Sequence, residues 1–399
     1  MNNIIKKQSR YIANNYKPLD IIFKKGKNIY LYDNNNKKYF DCLSGYSSLN
    51  QGHCHPYIYK ALKKQASELT LTSRALYNNK IGDFSEKICK LLNYDKILMM
   101  NTGVEGGETA TKIARVWGYK KKNIEKNKAV NLFCKNNFWG RTLAACSSSD
   151  DPSCYENFGP YQDGFDLVEY NNLEKLENKF KNNPNIVSFM FEPIQGEAGV
   201  IIPNNDYLTG VRNLCNQYNV LMIADEVQTG LCRTGKLIAC DYENIKPDLL
   251  ILGKALSGGF YPISGVLGDN HIMDAIDAGT HGSTYGGNPL ACAVASASLD
   301  VLIDENLALN SFNKGKFFRK ELNNYKNDFM IDIRGKGLLN AIECVDSKYT
   351  QKLHDELLKN KVITKIAHDN KLRISPPLII NNKQMNKLMD KFILSIKNI

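Results

Sequence analysis

The chain has 399 residues, 43% of them hydrophobic, and a formal net charge of +11. Its lysines are spread evenly among asparagines rather than gathered with aromatics in one stripe, so the charge reads as a solvated surface and not a nucleic-acid interface. No run of about 18 apolar residues is present, which excludes a transmembrane helix. The first twenty residues, "MNNIIKKQSRYIANNYKPLD", have no apolar core or cleavage site, and the eleven cysteines show no CxxC pair, so a cytoplasmic chain with reduced thiols is expected. Cys89, Cys215 and Cys292 sit in apolar runs, whereas Cys154 lies in the polar stretch "SSSDDPSCYENFGP", where it is either an inert loop residue or an accessible thiol. Residues 1–46 read as an arm: a short helix, then a hairpin turning at Asn34-Asn35-Asn36. From 47 to 294 helical segments ("PYIYKALKKQASEL", "EGGETATKIARVWGYKKK") alternate with apolar runs ("KILMMN", "AVNLFCKN", "IVSFMFEP", "VLMIADE", "DLLILGK"). Continuous apolar strands alternating with helices predict an α/β domain, a mostly parallel sheet covered on both faces. From 295 to 399 longer helices and strand pairs predict a smaller α+β domain.

Ligands of such sheets gather at the carboxyl ends of the strands, so the polar residues there are the candidates. Lys254 ends "DLLILG" and is followed by Ala255, Ser257, Gly258 and Gly259, which leave room for a flat ring. It either reaches water or serves as a nucleophilic amine that forms a Schiff base with a carbonyl. Asp225 ends "VLMIA", either as a cap on the next loop or as a charge held against a protonated pyridine nitrogen; Gln228 could donate to a ring oxygen. In "NTGVEGGETA" a strand runs through Gly103 and Val104 into a helix, which makes an anion site but neither a P-loop nor a GxGxxG loop. In "NFWGRT" Phe138 or Trp139 could stack on a ring and Arg141 could hold a carboxylate. The plain reading of Glu192 and Glu197 in "FEPIQGEAG" is a helix cap or a surface ion pair, and Ser283 and Thr284 in "HGSTYGGNPL" offer hydroxyls. His53 and His55 lack the further ligands a zinc site needs, so no metal is expected.

Taken in order, these motifs resemble the ornithine aminotransferase family, within the class III pyridoxal-phosphate-dependent aminotransferases of fold type I. The resemblance spans nearly the whole chain and is also carried by "NNYKPLD", "NQGHCHP", "TLTSRALYNN", "RGKGLLNA" and "SPPL". It implies pyridoxal 5′-phosphate as cofactor, with Lys254 bonded to its aldehyde and Asp225 at the pyridinium nitrogen. Gln228 would meet the ring hydroxyl, Phe138 the ring face, and Gly103, Val104 and Ser283 the phosphate. Thr284 would reach the neighbour's phosphate in a homodimer with shared sites. Tyr16, Tyr46 and Arg141 would bind L-ornithine, with Glu197 and Arg373 facing one another across the pocket; 2-oxoglutarate and L-glutamate would be the other partners. Class III enzymes for acetylornithine or 4-aminobutyrate are the alternatives, against which Tyr16 argues by offering a hydroxyl to a free α-amino group. A non-catalytic scaffold of the same fold is argued against by the intact Lys254, Asp225 and Arg141.

Overall fold

The computed structural model describes residues 3–399. A hairpin region near the N-terminus contains β1 (Phe23–Lys27), β2 (Tyr30–Asp33) and β3 (Lys38–Asp41). The large domain contributes β4 (Lys96–Met100), β5 (Val130–Cys134), β6 (Phe165–Val168), β7 (Ile186–Phe191), β8 (Leu221–Asp225), β9 (Leu249–Leu252) and β10 (Ser264–Gly268). They form one seven-stranded sheet in the order β4-β10-β9-β8-β7-β5-β6. β5 to β9 run parallel, and every residue of β7, β8 and β9 is buried, as continuous apolar strands require. β10 alone is antiparallel to both its neighbours. This is the α/β sheet expected from the apolar runs; β6 and β10 were not legible, because "FDLV" is short and "SGVLG" carries glycine at both ends of its apolar pair.

Helix Gly103–Lys120 lies close on this sheet. A side chain at Gly106 would begin 2.7 Å from Ile251 Cγ2, and one at Gly107 would begin 2.3 Å from the Trp139 ring. Both glycines are there because neighbouring atoms occupy the space a Cβ would need.

The small domain holds β11 (Met330–Lys336), β12 (Leu339–Cys344), β13 (Val362–Ile363), β14 (Lys365–Ala367) and β15 (Lys371–Ile374). Four of these form the antiparallel sheet β11-β12-β15-β14. β13 instead pairs in parallel with β3, placing Phe40 opposite Val362 and Asp41 opposite Ile363, so the N-terminal hairpin and the C-terminal segment share one sheet. Arg233 bolts the domains together. Its fully buried guanidinium donates to Asn50 Oδ1 at 3.1 and 2.5 Å, to Leu338 O at 3.1 Å and to Pro376 O at 2.6 Å. The loop after β8 is thereby fixed to the strand that carries Arg373.

Candidate active site

Four strand ends converge. Asp225 is the last residue of β8 and pairs with Ile251 of β9, so Asp225 and Lys254 project from neighbouring strands. Lys254 turns sharply out of β9 with φ 43°, a left-handed conformation that costs a non-glycine residue about 1–2 kcal/mol. Strain at a strand end that over-determined packing maintains is a mark of a functional position. Its Nζ enters no hydrogen bond or ion pair with the described residues. Burial, helped by the charge of Arg373, lowers its pKa against the pull of Glu197, Asp225 and Glu192. Asp225 is buried and accepts one hydrogen bond, from the Val227 amide at 2.9 Å; burial pushes its pKa up to about 6. A carboxylate so placed gains most from a cation brought to it.

The helix start at Gly103 is prepared for an anion by subtraction. Thr102 and Glu105 form a capping box: the Thr102 amide donates to Glu105 Oε2 at 2.7 Å, and the Glu105 amide to Thr102 Oγ1 at 3.3 Å. That satisfies two of the four free amides of the first turn and leaves those of Gly103 and Val104. Ser283 stands beside this turn, its Oγ accepting from Asn101 Nδ2 at 2.8 Å. Thr284 is exposed.

The aromatic ambiguity resolves. Trp139 is core: its ring stacks on Phe133 at 5.5 Å between centroids, and its Nε1 donates to Ser148 Oγ at 2.9 Å. Phe138 is half-buried and remains the aromatic available to face a ring. Arg141 lies above it at 5.6 Å and donates to Ser153 O at 3.2 Å.

Opposite, Arg373 is 1% exposed while the Glu197 side chain is 23% exposed. Arg373 Nη1 donates to Glu197 Oε1 at 2.5 Å, Gln228 Oε1 at 3.2 Å and Gly196 O at 3.4 Å, and its buried Nη2 has no partner. Arg373 holds the pKa of Glu197 low despite burial. Gln228, expected at a ring oxygen, bridges this pair in the chain on its own, its Nε2 donating to Glu197 Oε1 at 2.9 Å. Tyr46 brings its ring 5.4 Å from Arg373, and burial together with Glu197 and Tyr16 raises its pKa. Tyr46 reaches that place on a left-handed turn: φ is 50° at Ser44, 54° at Gly45, 57° at Tyr46 and 71° at Ser47. Asp41 secures the turn, its Oδ1 accepting from the Ser44 amide at 2.8 Å and the Leu43 amide at 3.0 Å, and its Oδ2 meeting His53 at 2.7 Å. Tyr16 is 70% exposed on the arm.

One residue carries more than its motif suggested. Glu192, at the end of β7, is neither a helix cap nor a surface ion pair but a buried carboxyl, accepting from the Phe138 amide at 3.0 Å and the Gly196 amide at 3.1 Å. Its signal was available: an apolar strand ending in a carboxylate, as at Asp225. The "GHCHP" histidines diverge, His53 to Asp41 and His55 to Glu305. Cys154 is buried, and Cys54 is the exposed cysteine.

A family model described as "Aminotransferase class-III" matches residues 11–396. The chain belongs to the class-III aminotransferases. It is 53% identical over 393 residues to the mitochondrial ornithine aminotransferase of Drosophila melanogaster, covering 98% of this chain and 91% of that protein. A solved ornithine aminotransferase of Toxoplasma gondii, described as having partial occupancy of PLP at its active site, superposes with TM-score 0.97 at 44% identity, covering 99% of this chain and 93% of that one. An acetylornithine aminotransferase of Elizabethkingia anophelis superposes with TM-score 0.91 at 45% identity, covering 99% and 98%. Class-III aminotransferases work with pyridoxal 5′-phosphate, and the donor set here fits it. There are two free amides at a helix start for a phosphate, a buried carboxylate for a pyridinium, and an unpaired lysine for an aldehyde.

Proposed function

We infer that the chain is an ornithine δ-aminotransferase, which moves the δ-amino group of L-ornithine to 2-oxoglutarate and yields L-glutamate 5-semialdehyde and L-glutamate. The observation that carries this reading is the Glu197–Arg373 pair, a buried guanidinium masked by a more exposed carboxylate. Such a pair lets one pocket serve both a substrate with one carboxylate and a substrate with two. When bound, pyridoxal phosphate supplies the carbonyl that receives the amine and the ring that draws electrons from the reacting carbon.

The residues do the rest. The Gly103 and Val104 amides and Ser283 hold the phosphate, and the Phe138 ring covers one face. Asp225 keeps a proton on the pyridine nitrogen. Lys254 Nζ, its pKa lowered by burial, takes the proton that leaves the carbon bearing the reacting amine and would deliver it to the carbon that had been the cofactor's aldehyde. Arg141 holds the carboxylate common to both substrates, and Gln228 orients Glu197. Tyr16 and Tyr46 receive the distal end of ornithine. Thr284 is proposed to complete the phosphate site of a second copy, making the active unit a homodimer; its exposure in the single chain supports this. The eleven unpaired cysteines support a reducing compartment, and we propose the cytoplasm. Among the described residues no helix is long and apolar enough to cross a membrane.

The likeness to an acetylornithine aminotransferase keeps a second reading in view. A donor screen with 2-oxoglutarate as acceptor separates the two. Ornithine is expected to exceed N-acetylornithine and 4-aminobutyrate by at least tenfold in kcat/KM, and preference for N-acetylornithine would overturn the reading.

A further inference from the structure

Glu192 lies at the hub of two loops that meet opposite sides of the pocket. Its Oε1 accepts from the Phe138 amide at 3.0 Å and its Oε2 from the Gly196 amide at 3.1 Å. Phe138 is the ring-facing aromatic. Gly196 precedes Glu197, and its carbonyl accepts from Arg373 at 3.4 Å. The hub is anchored: the Tyr170 hydroxyl reaches Glu192 O at 3.1 Å and Pro193 O at 2.9 Å. No slack exists on the far side either, since a Cβ at Gly196 would begin 2.0 Å from Gln228 Oε1. A displacement of Gly196 must therefore push Gln228, pull on the Glu192 carboxylate, or both. A carboxylate with one oxygen on each loop is a rigid link, because its two oxygens cannot move independently.

We propose that Glu192 is a positioning residue that yokes the Phe138 loop to the Glu197 loop, so that a second carboxylate arriving at Arg373 is felt at the ring-facing aromatic. The inference rests on the reading of Arg373 as the second carboxylate site. The link acts on the pocket without touching substrate: when Glu197 gives way to a dicarboxylate, Gly196 shifts and the Phe138 amide shifts with it. Burial raises the pKa of Glu192 most, Asp225 adds to it, and the two amides oppose them, leaving it at about 8. Among the described residues the only parallel tie between the loops, Gln195 Nε2 to Lys135 O at 2.7 Å, meets the Phe138 loop at its strand end, three residues short of Phe138.

Glu192→Gln separates the link from the fold. It keeps the shape but offers one acceptor oxygen and one NH₂ to two amide donors, so one donor loses its partner. The measurement is hydrogen–deuterium exchange of the loaded enzyme with and without glutarate, a dicarboxylate with no amine, with glutarate binding followed separately by calorimetry. In the wild type, glutarate is expected to change exchange in both 194–199 and 136–142. In Glu192→Gln it is expected to change 194–199 alone, with basal exchange at Phe138 or Gly196 roughly tenfold faster from the lost hydrogen bond. Glu192→Asp, one methylene shorter and able to reach one amide only, is expected to behave likewise and serves if the glutamine variant does not fold. Should glutarate fail to bind the wild type, the dicarboxylate reading and the yoke fall together. Should it bind and leave 136–142 unchanged in the wild type, or alter that segment equally in a folded variant, the yoke alone is overturned.

Discussion

Replacing Glu197 with alanine removes the mask over Arg373, together with the acceptor of Gln228 Nε2 and a negative charge that acts on Lys254. Arg373 is 1% exposed and keeps only the Gln228 and Gly196 oxygens, two neutral acceptors, for its charge. Stripping one partner from a fully buried ion pair costs about 3–5 kcal/mol. Glu197 is 23% exposed, which discounts the figure to roughly 2–3 kcal/mol. That energy becomes available to any carboxylate that replaces Glu197, corresponding to about 30- to 150-fold in affinity. Glutarate should therefore bind Glu197→Ala tighter by about that factor. The α-carboxylate of ornithine should be drawn to Arg373 as well, presenting the wrong amine. Single-turnover absorbance, followed for each half-reaction separately, is expected to show the ornithine half slowed by more than tenfold and the glutamate half unchanged or faster. Equal slowing of both halves, with no gain in glutarate affinity, would mean that Glu197 only supports the loop, and the masking argument would be wrong.

Borohydride reduction of the loaded wild type and peptide mapping should mark Lys254, while Lys254→Ala keeps its melting temperature and takes no mark; a mark on another lysine refutes the assignment. Mixing Lys254→Ala with Thr284→Ala subunits should restore activity to about a quarter of wild type, because half the chains pair as heterodimers and one of the two sites in each is free of both lesions. No recovery in verified heterodimers refutes the shared site. In the cofactor-free enzyme Asp225 rises from 3.8 to about 6 and Glu192 from 4.5 to about 8. The folded state thus binds more protons than the unfolded one across pH 4–8, and these two groups make stability fall as pH rises through that window. Asp225→Asn should flatten the fall in melting temperature between about pH 4 and 6, and a steeper fall would reverse the sign of the argument.

The cofactor side of the site was legible because burial leaves few reasons for a charge at the end of an apolar strand. Lys254 and Asp225 each stood out against four or more apolar neighbours, and the structure brings them from adjacent strands. Distances across the pocket were not legible. Gln228 sits in the Glu197–Arg373 network rather than free beside them, a matter of side-chain reach that spacing does not encode. Glu192 was underweighted because "EPIQG" offers a cap reading as readily as a buried one, and only the positions of Phe138 and Gly196 decide between them. The left-handed turn at Tyr46 escaped for a different reason. A single glycine in "LSGYSS" announces one positive φ, whereas four in succession depend on the Asp41 carboxylate beneath them.

The pairing of β3 with β13 sets an order on the making of the pocket. The residues proposed to meet the phosphate, the ring and the aldehyde lie between Thr102 and Thr284, and leave the ribosome before Val362 is joined to Phe40. Arg373 follows later still, and the Tyr46 turn, five residues beyond β3's last strand residue, has no finished sheet to stand on until then. A nascent or C-terminally truncated chain can thus carry the residues proposed to hold the cofactor, and Glu197 as well, while lacking Arg373, the guanidinium that Glu197 covers. The proposed mask is therefore made before the charge it masks, and a chain clipped ahead of β15 would carry Glu197 with no guanidinium to cover.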